Sequence, residues 1–141
     1  MACRPRRAGG RRGSRRRGGR RARRLPRGPR RAAASHAPAF GFATGLDVVD
    51  LGGITDPTIA RRPGGHVDKA IDPGVLLERD PDTIVLSSRL PPAVDDQGRL
   101  RRFAGHPVEA RVAAMPWVRA RMRVTRVQRY SSGLWYVVLS R

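Results

Sequence analysis

The chain has 141 residues, a length suited to one domain. Its net charge of +19 is concentrated at one end: residues 1–31 carry 15 arginines and no acid, while the other 110 carry 15 Lys+Arg and 11 Asp+Glu, which leaves 15 − 11 = +4. The single cysteine, Cys3, excludes an internal disulfide and a cysteine-based zinc site.

Residues 1–34 are low-complexity Arg, Gly, Pro and Ala. Charge repulsion and the scarcity of large apolar groups predict a disordered tail there. Arg, Gly, Ala and Pro share GC-rich codons, so the composition of a high-GC bacterial genome also accounts for it. No apolar stretch of about 7–15 residues follows the paired arginines, as an export signal requires. No run approaches the roughly 18 apolar residues of a membrane span. The sequence therefore predicts neither a signal peptide nor a membrane span.

The segment "AAASHAPAFGFATG" (32–45) reads as a transition, with Phe40 and Phe42 available to dock on a core. "LDVVDL" (46–51) predicts a short strand bounded by Gly45 and Gly52-Gly53. Thr55 or Asp56 then stands as an N-cap before Pro57, predicting one or two helical turns over "TDPTIARR". "DPGVLLERD" (72–80) repeats the device with Asp72 and Pro73. "DTIVLSS" (82–88) predicts a central strand, because Ile84, Val85 and Leu86 run on without alternation.

Residues 89–105 read as a polar loop. "HPVEARVAAMPWVRARM" predicts a helix from Pro107 that Pro116 ends or kinks. Over 121–130, Met122, Val124 and Val127 alternate with Arg123, Arg126 and Arg129, with a slip near Thr125. "SSG" (131–133) is turn chemistry, and 134–141 pairs back as the second arm of a hairpin. The predicted order, β-α-α-β-α-β-β, makes a small α/β (α+β) sandwich with a short mixed sheet ending in a C-terminal β-hairpin. The domain is expected over residues 35–141.

Candidate site residues concentrate in "DLGGITDPTIARRPGGH" (50–66) and just beyond it. Asp50 and Asp56 are six residues apart, and paired carboxylates serve as acid and base in glycosyl transfer. Asp56, before Pro57, is better placed to cap a helix, and Asp50 to accept hydrogen bonds from Gly52, Gly53 or Arg61. Arg61 suits a phosphate, or an ion pair with Asp50 or Asp56. His66 suits a hydrogen bond to substrate or to its own loop. Its spacing to His36 and His106 is not that of a metal site, and no metal or cofactor is expected. "PGG" (63–65) lacks the spacing of a phosphate loop.

The segments "DLGGITDPTIAR", "GGHVDKA" and "LLERDPDTIVL" together resemble the extracytoplasmic C-terminal domain of bacterial polytopic membrane glycosyltransferase-like proteins. These include the arabinofuranosyltransferase-like and mannosyltransferase-like groups, which use polyprenyl-phosphate sugars. The pattern D-x-x-G-L-T-D-x-x-I-A-R falls on Asp50, Gly53, Thr55, Asp56, Ile59, Ala60 and Arg61, with Ile54 in place of Leu. It continues through Gly65, His66 and Lys69, then Arg79, Pro81, Asp82 and Ile84. The closing "WVRARMRVTRVQRYSSGLWYVVLSR" is similar to the way such chains end, so the resemblance spans about residues 38–141.

The resemblance implies an accessory or binding domain at the extracytoplasmic face of a bacterial membrane. Its partner would be the enzyme's membrane domain, a glycan or a polyprenyl-phosphate sugar. Asp50, Thr55, Asp56, Arg61, His66 and Lys69 would form its ligand or interface edge. Catalytic acids in such proteins lie in loops between membrane helices, so no catalysis by this chain alone is expected. Two other readings stand beside this one. The tail, with Arg11, Arg12, Arg15, Arg16, Arg17, Arg20 and Arg21, suits nucleic-acid binding, although residues 1–39 hold no aromatic for base stacking. The chain also reads as a fragment or a misassigned reading frame.

Overall fold

A computed structural model describes residues 30–130 and 132–141. In chain order its elements are β1 (Arg31–Ala34), α1 (Ala37–Thr44), β2 (Asp47–Asp50), α2 (Pro57–Ala60), α3 (Pro73–Arg79) and β3 (Thr83–Ser88), followed by β4 (Ala93–Val94) and β5 (Leu100–Arg102), then α4 (Pro107–Ala114), α5 (Pro116–Arg121), β6 (Arg123–Arg129) and β7 (Trp135–Ser140). The unbroken run Ile84-Val85-Leu86 forms the middle strand of a five-stranded sheet ordered β2-β1-β3-β7-β6. β1 runs parallel to both β2 and β3, while β7 is antiparallel to β3 and to β6. The sheet is mixed and closes on a C-terminal hairpin, as the sequence pattern predicts.

Period-two alternation sends the two sets of side chains to opposite faces. Ala33, Val49, Ile84, Leu86, Val137 and Leu139 face one way and are buried. Onto them pack Ile59 of α2, Leu76 of α3, Val108 and Val112 of α4 and Val118 of α5, with Met115 and Met122 at the helix ends. Pro116 splits the predicted 107–121 helix into α4 and α5, because a proline nitrogen has no hydrogen to continue the ladder. Asp56 and Asp72 cap α2 and α3, as expected: Asp56 accepts from Thr58 N and Ile59 N, and Asp72 from Gly74 N. The slip near Thr125 is a β-bulge between Val124 and Arg126.

Three expectations are corrected. Residues 31–34, assigned by sequence to the tail, form β1, which sits between β2 and β3. Three consecutive alanines give no alternation signal. Here they fit because β1 is covered on both faces, with Ala32, Ala33 and Ala34 all buried. Arg31 adds an Nε bond to Asp47 Oδ2 of 2.8 Å across the β1–β2 edge. The domain thus begins before residue 35.

The transition segment contains helix α1, with Gly45 closing it in the left-handed conformation (φ 65°). α1 lies on the sheet face opposite the main core, where a Cβ on Gly41 would sit 3.4 Å from Val48 Cγ2. The 89–105 loop holds the two-stranded β4–β5 ribbon, whose turn is tied to the main sheet by Val124 N donating to Gly98 O at 2.7 Å. Residues 1–29 lie outside the described residues.

Candidate functional site

Asp50 ends β2 and is fully buried. Its Oδ1 accepts from Gly52 N at 2.9 Å, and its Oδ2 from Thr55 N at 2.7 Å and Thr55 Oγ1 at 3.1 Å. Those three bonds curl the chain back on itself and use the carboxylate's lone pairs. Gly53 makes the curl possible: its φ is 70°, and an added Cβ would lie 2.8 Å from Ala60 N. Asp56 is spent on its cap and on Arg79, whose Nη2 lies 3.5 Å from Asp56 Oδ2.

The expected pairing of Arg61 with Asp50 or Asp56 is therefore not formed. Arg61 is the C-cap residue of α2, is exposed, and makes no side-chain hydrogen bond among the described residues. The carbonyls at the end of α2 are taken by another cation. Lys69 folds back instead. Its Nζ donates to Ala60 O at 2.9 Å and Arg62 O at 3.0 Å, where a cation meets the negative end of α2.

The remainder of the loop is fastened to α4. Arg111 Nη1 donates to Asp68 O and Lys69 O at 2.6 and 2.9 Å, and Val108 N donates to Val67 O at 3.1 Å. Five of the six sequence candidates therefore build the loop or extend from it. The sixth, His66, lines a pocket.

That pocket encloses about 530 Å³ and is lined by Ser35, His36, Ile54, His66, Val67, His106 and Val108. It lies beyond the carboxyl ends of β1 and β3. β1 connects to β2 on one side and the chain then crosses to β3 on the other, so this is the switch point of the parallel part of the sheet. Open α/β sheets leave a crevice for ligands at such points. The three histidines are all those in the chain. Among the described residues, no three or more His, Cys, Asp or Glu side chains are placed to hold a metal ion.

Behind the pocket lies Glu109, fully buried at the start of α4. Its Oε1 accepts from Ser35 Oγ, and from Ser87 N and Ser87 Oγ at 2.8 Å each. Its Oε2 accepts from Ser87 Oγ at 3.0 Å and from His106 N at 2.9 Å. A buried carboxylate is tolerated when donors surround it. Glu109 thus fixes the ends of β1, β3 and α4 together, and with them Ser35, His36 and His106. Sequence reasoning missed this group. The available signal was "HPVE", an acid three residues after the residue preceding a proline-initiated helix, which is where a side chain reaches back to the cap backbone. That its partners would be Ser35 and Ser87 follows only from strand order.

Each neutral imidazole offers one donor and one acceptor, and the pocket adds the Ser35 hydroxyl. Val67, Val108 and the exposed Ile54 (66 %) supply an apolar flank. Asp50, Asp56 and Glu109 are all engaged in internal hydrogen bonds, so the pocket pairs hydroxyl-binding groups with apolar surface and is not lined by a carboxylate pair. Comparison with protein-family models, with curated proteins and with solved structures found no match. No helix among the described residues is long and apolar enough to cross a membrane. The arginines named for nucleic-acid binding, Arg11 to Arg21, lie outside the described residues.

Proposed function

We propose that the chain is a carbohydrate-binding accessory domain, of the kind its sequence resembles at the end of polyprenyl-phosphate-sugar-dependent membrane glycosyltransferases, and that it performs no transfer itself. The observation that carries this reading is the His36–His66–His106 pocket at the strand switch point. Imidazoles and a serine hydroxyl suit the hydroxyls of a sugar, and Ile54 and Val67 suit its C–H face. The commitment of Asp50, Asp56 and Glu109 to internal bonds supports a binding role over glycosyl transfer by a carboxylate pair.

The test is an amide and imidazole NMR titration of the full chain with methyl arabinofuranoside and methyl mannoside. Shifts should gather at His36, His66, Val67 and His106 and should disappear in the His36→Ala/His66→Ala variant. Neither sugar perturbing the pocket would overturn the binding assignment. Transfer from a polyprenyl-phosphate sugar by the isolated chain would overturn the accessory role.

A further inference from the structure

A second pocket, sharing no residue with the first, opens between the β4–β5 ribbon and α5 and encloses about 480 Å³. Its rim carries Arg99 from the ribbon turn, Arg101 from β5 and Arg119 from α5. Its accessible apolar walls are Leu100, Ala113, Pro116 and Ala120, with the buried Val118, Met122 and Leu139 beneath them. Arginines on a surface are ordinarily solvated or paired. Here only Arg101 has a carboxylate partner: its Nε lies 2.8 Å from Asp95 Oδ2. Arg99 and Arg119 form no ion pair among the described residues.

Arg119 is also not needed at the end of its helix. The terminal carbonyls of α5 are met by Arg123, whose Nη1 donates to Ala120 O at 3.2 Å and Met122 O at 2.8 Å. Asp95 is held below the usual value of 3.8, chiefly by the hydrogen bond from Arg99 N; burial opposes this, and the hydrogen bond and charge of Arg101 and the bond from Gln97 N add to the lowering. Its charge offsets one guanidinium of three, which leaves two. The ribbon turn is held in place by Asp95 Oδ1 accepting from Gln97 N and Arg99 N, which fixes the backbone from which the Arg99 side chain extends.

We propose that this pocket binds a phosphate monoester: the dianionic group between Arg99, Arg101 and Arg119, and its apolar body against Leu100, Ala113 and Pro116. Guanidinium forks match phosphate oxygens two at a time. The excess of two positive charges matches a dianion better than a monoanionic carboxylate. The apolar walls give the ester substituent a place that inorganic phosphate cannot use. This site does not rest on the sugar pocket, and either can fail alone.

The experiment is a backbone-amide NMR titration of the full chain with three probes: phenyl phosphate, inorganic phosphate and benzyl alcohol. Phenyl phosphate should shift Arg99, Leu100, Arg101 and the 118–122 amides together and saturably, and should bind roughly tenfold more tightly than either of the others. Arg99→Ala/Arg119→Ala should weaken it by roughly tenfold, while Arg102→Ala, on β5 but outside the pocket, should leave it unchanged. Arg99→Lys/Arg119→Lys keeps the charge and removes the fork, and should fall between. Equal responses to inorganic and phenyl phosphate would reduce the pocket to a charged surface and overturn the proposal. So would binding unchanged in both double variants, or shifts confined to arginines outside the pocket.

Discussion

Asp50 shows how a carboxylate that looks chemical can be structural. At 0 % exposure it accepts from Gly52 N and from both the backbone and hydroxyl of Thr55, so its charge holds a turn rather than a substrate. Truncating it leaves a buried backbone donor without a partner, which costs the desolvation of that group. Asp50→Ala is expected to lower stability by about 2 kcal/mol, read as a lower urea midpoint with an unchanged slope. Its effect on the pocket should be indirect, through displacement of His66. The sequence made Asp56 legible as a cap because Asp-Pro is a local signal. It left Arg61 ambiguous, since whether an exposed arginine folds back depends on what its neighbours have already satisfied. Asp56 found Arg79, which is 23 residues away and brought near only because α2 and α3 pack on the same core.

At the scale of elements, α4 is the piece on which the candidate site depends. Val108 and Val112 anchor it in the core, and Glu109 ties its first turn to Ser35 after β1 and to Ser87 in β3. All the groups meeting this carboxylate present hydrogens, two of them from the backbone. In Glu109→Gln the amide nitrogen must face either Ser87 N–H or His106 N–H, so one buried donor goes unpaired. The expected loss is about 2 kcal/mol, with faster amide exchange at Ser87 and His106. Unchanged exchange at both would show that the carboxylate is not the tie. The elements themselves were largely readable: caps at Asp56 and Asp72, the apolar run 84–86, the break at Pro116 and the slip near Thr125 are all local. α1 was missed although Gly45 marks its end, because "APAFGFAT" has no apolar periodicity to separate a core face from a solvent face.

For the molecule as a whole, the decisive feature is the place of β1. It contributes hydrogen bonds to both β2 and β3, so removing it divides the sheet into β2 and the β3-β7-β6 remainder. A chain lacking residues 1–34 should therefore lose cooperative thermal unfolding, measured by calorimetry and near-ultraviolet dichroism. Retention of a sharp transition would contradict a central β1. The same reasoning bears on nucleic-acid binding, since loss of binding in that truncation would report on the fold as well as on the arginines. By itself the sequence determined the mixed α/β class, the closing hairpin, the helix caps and the concentration of charge at one end, because each is written in neighbouring residues. Only the tertiary structure decided that three alanines are an inner strand. It also decided that His36, His66 and His106 line one pocket, and that Glu109 holds Ser35 and Ser87. These depend on strand order, which joins residues dozens of positions apart and leaves no periodic trace in the chain.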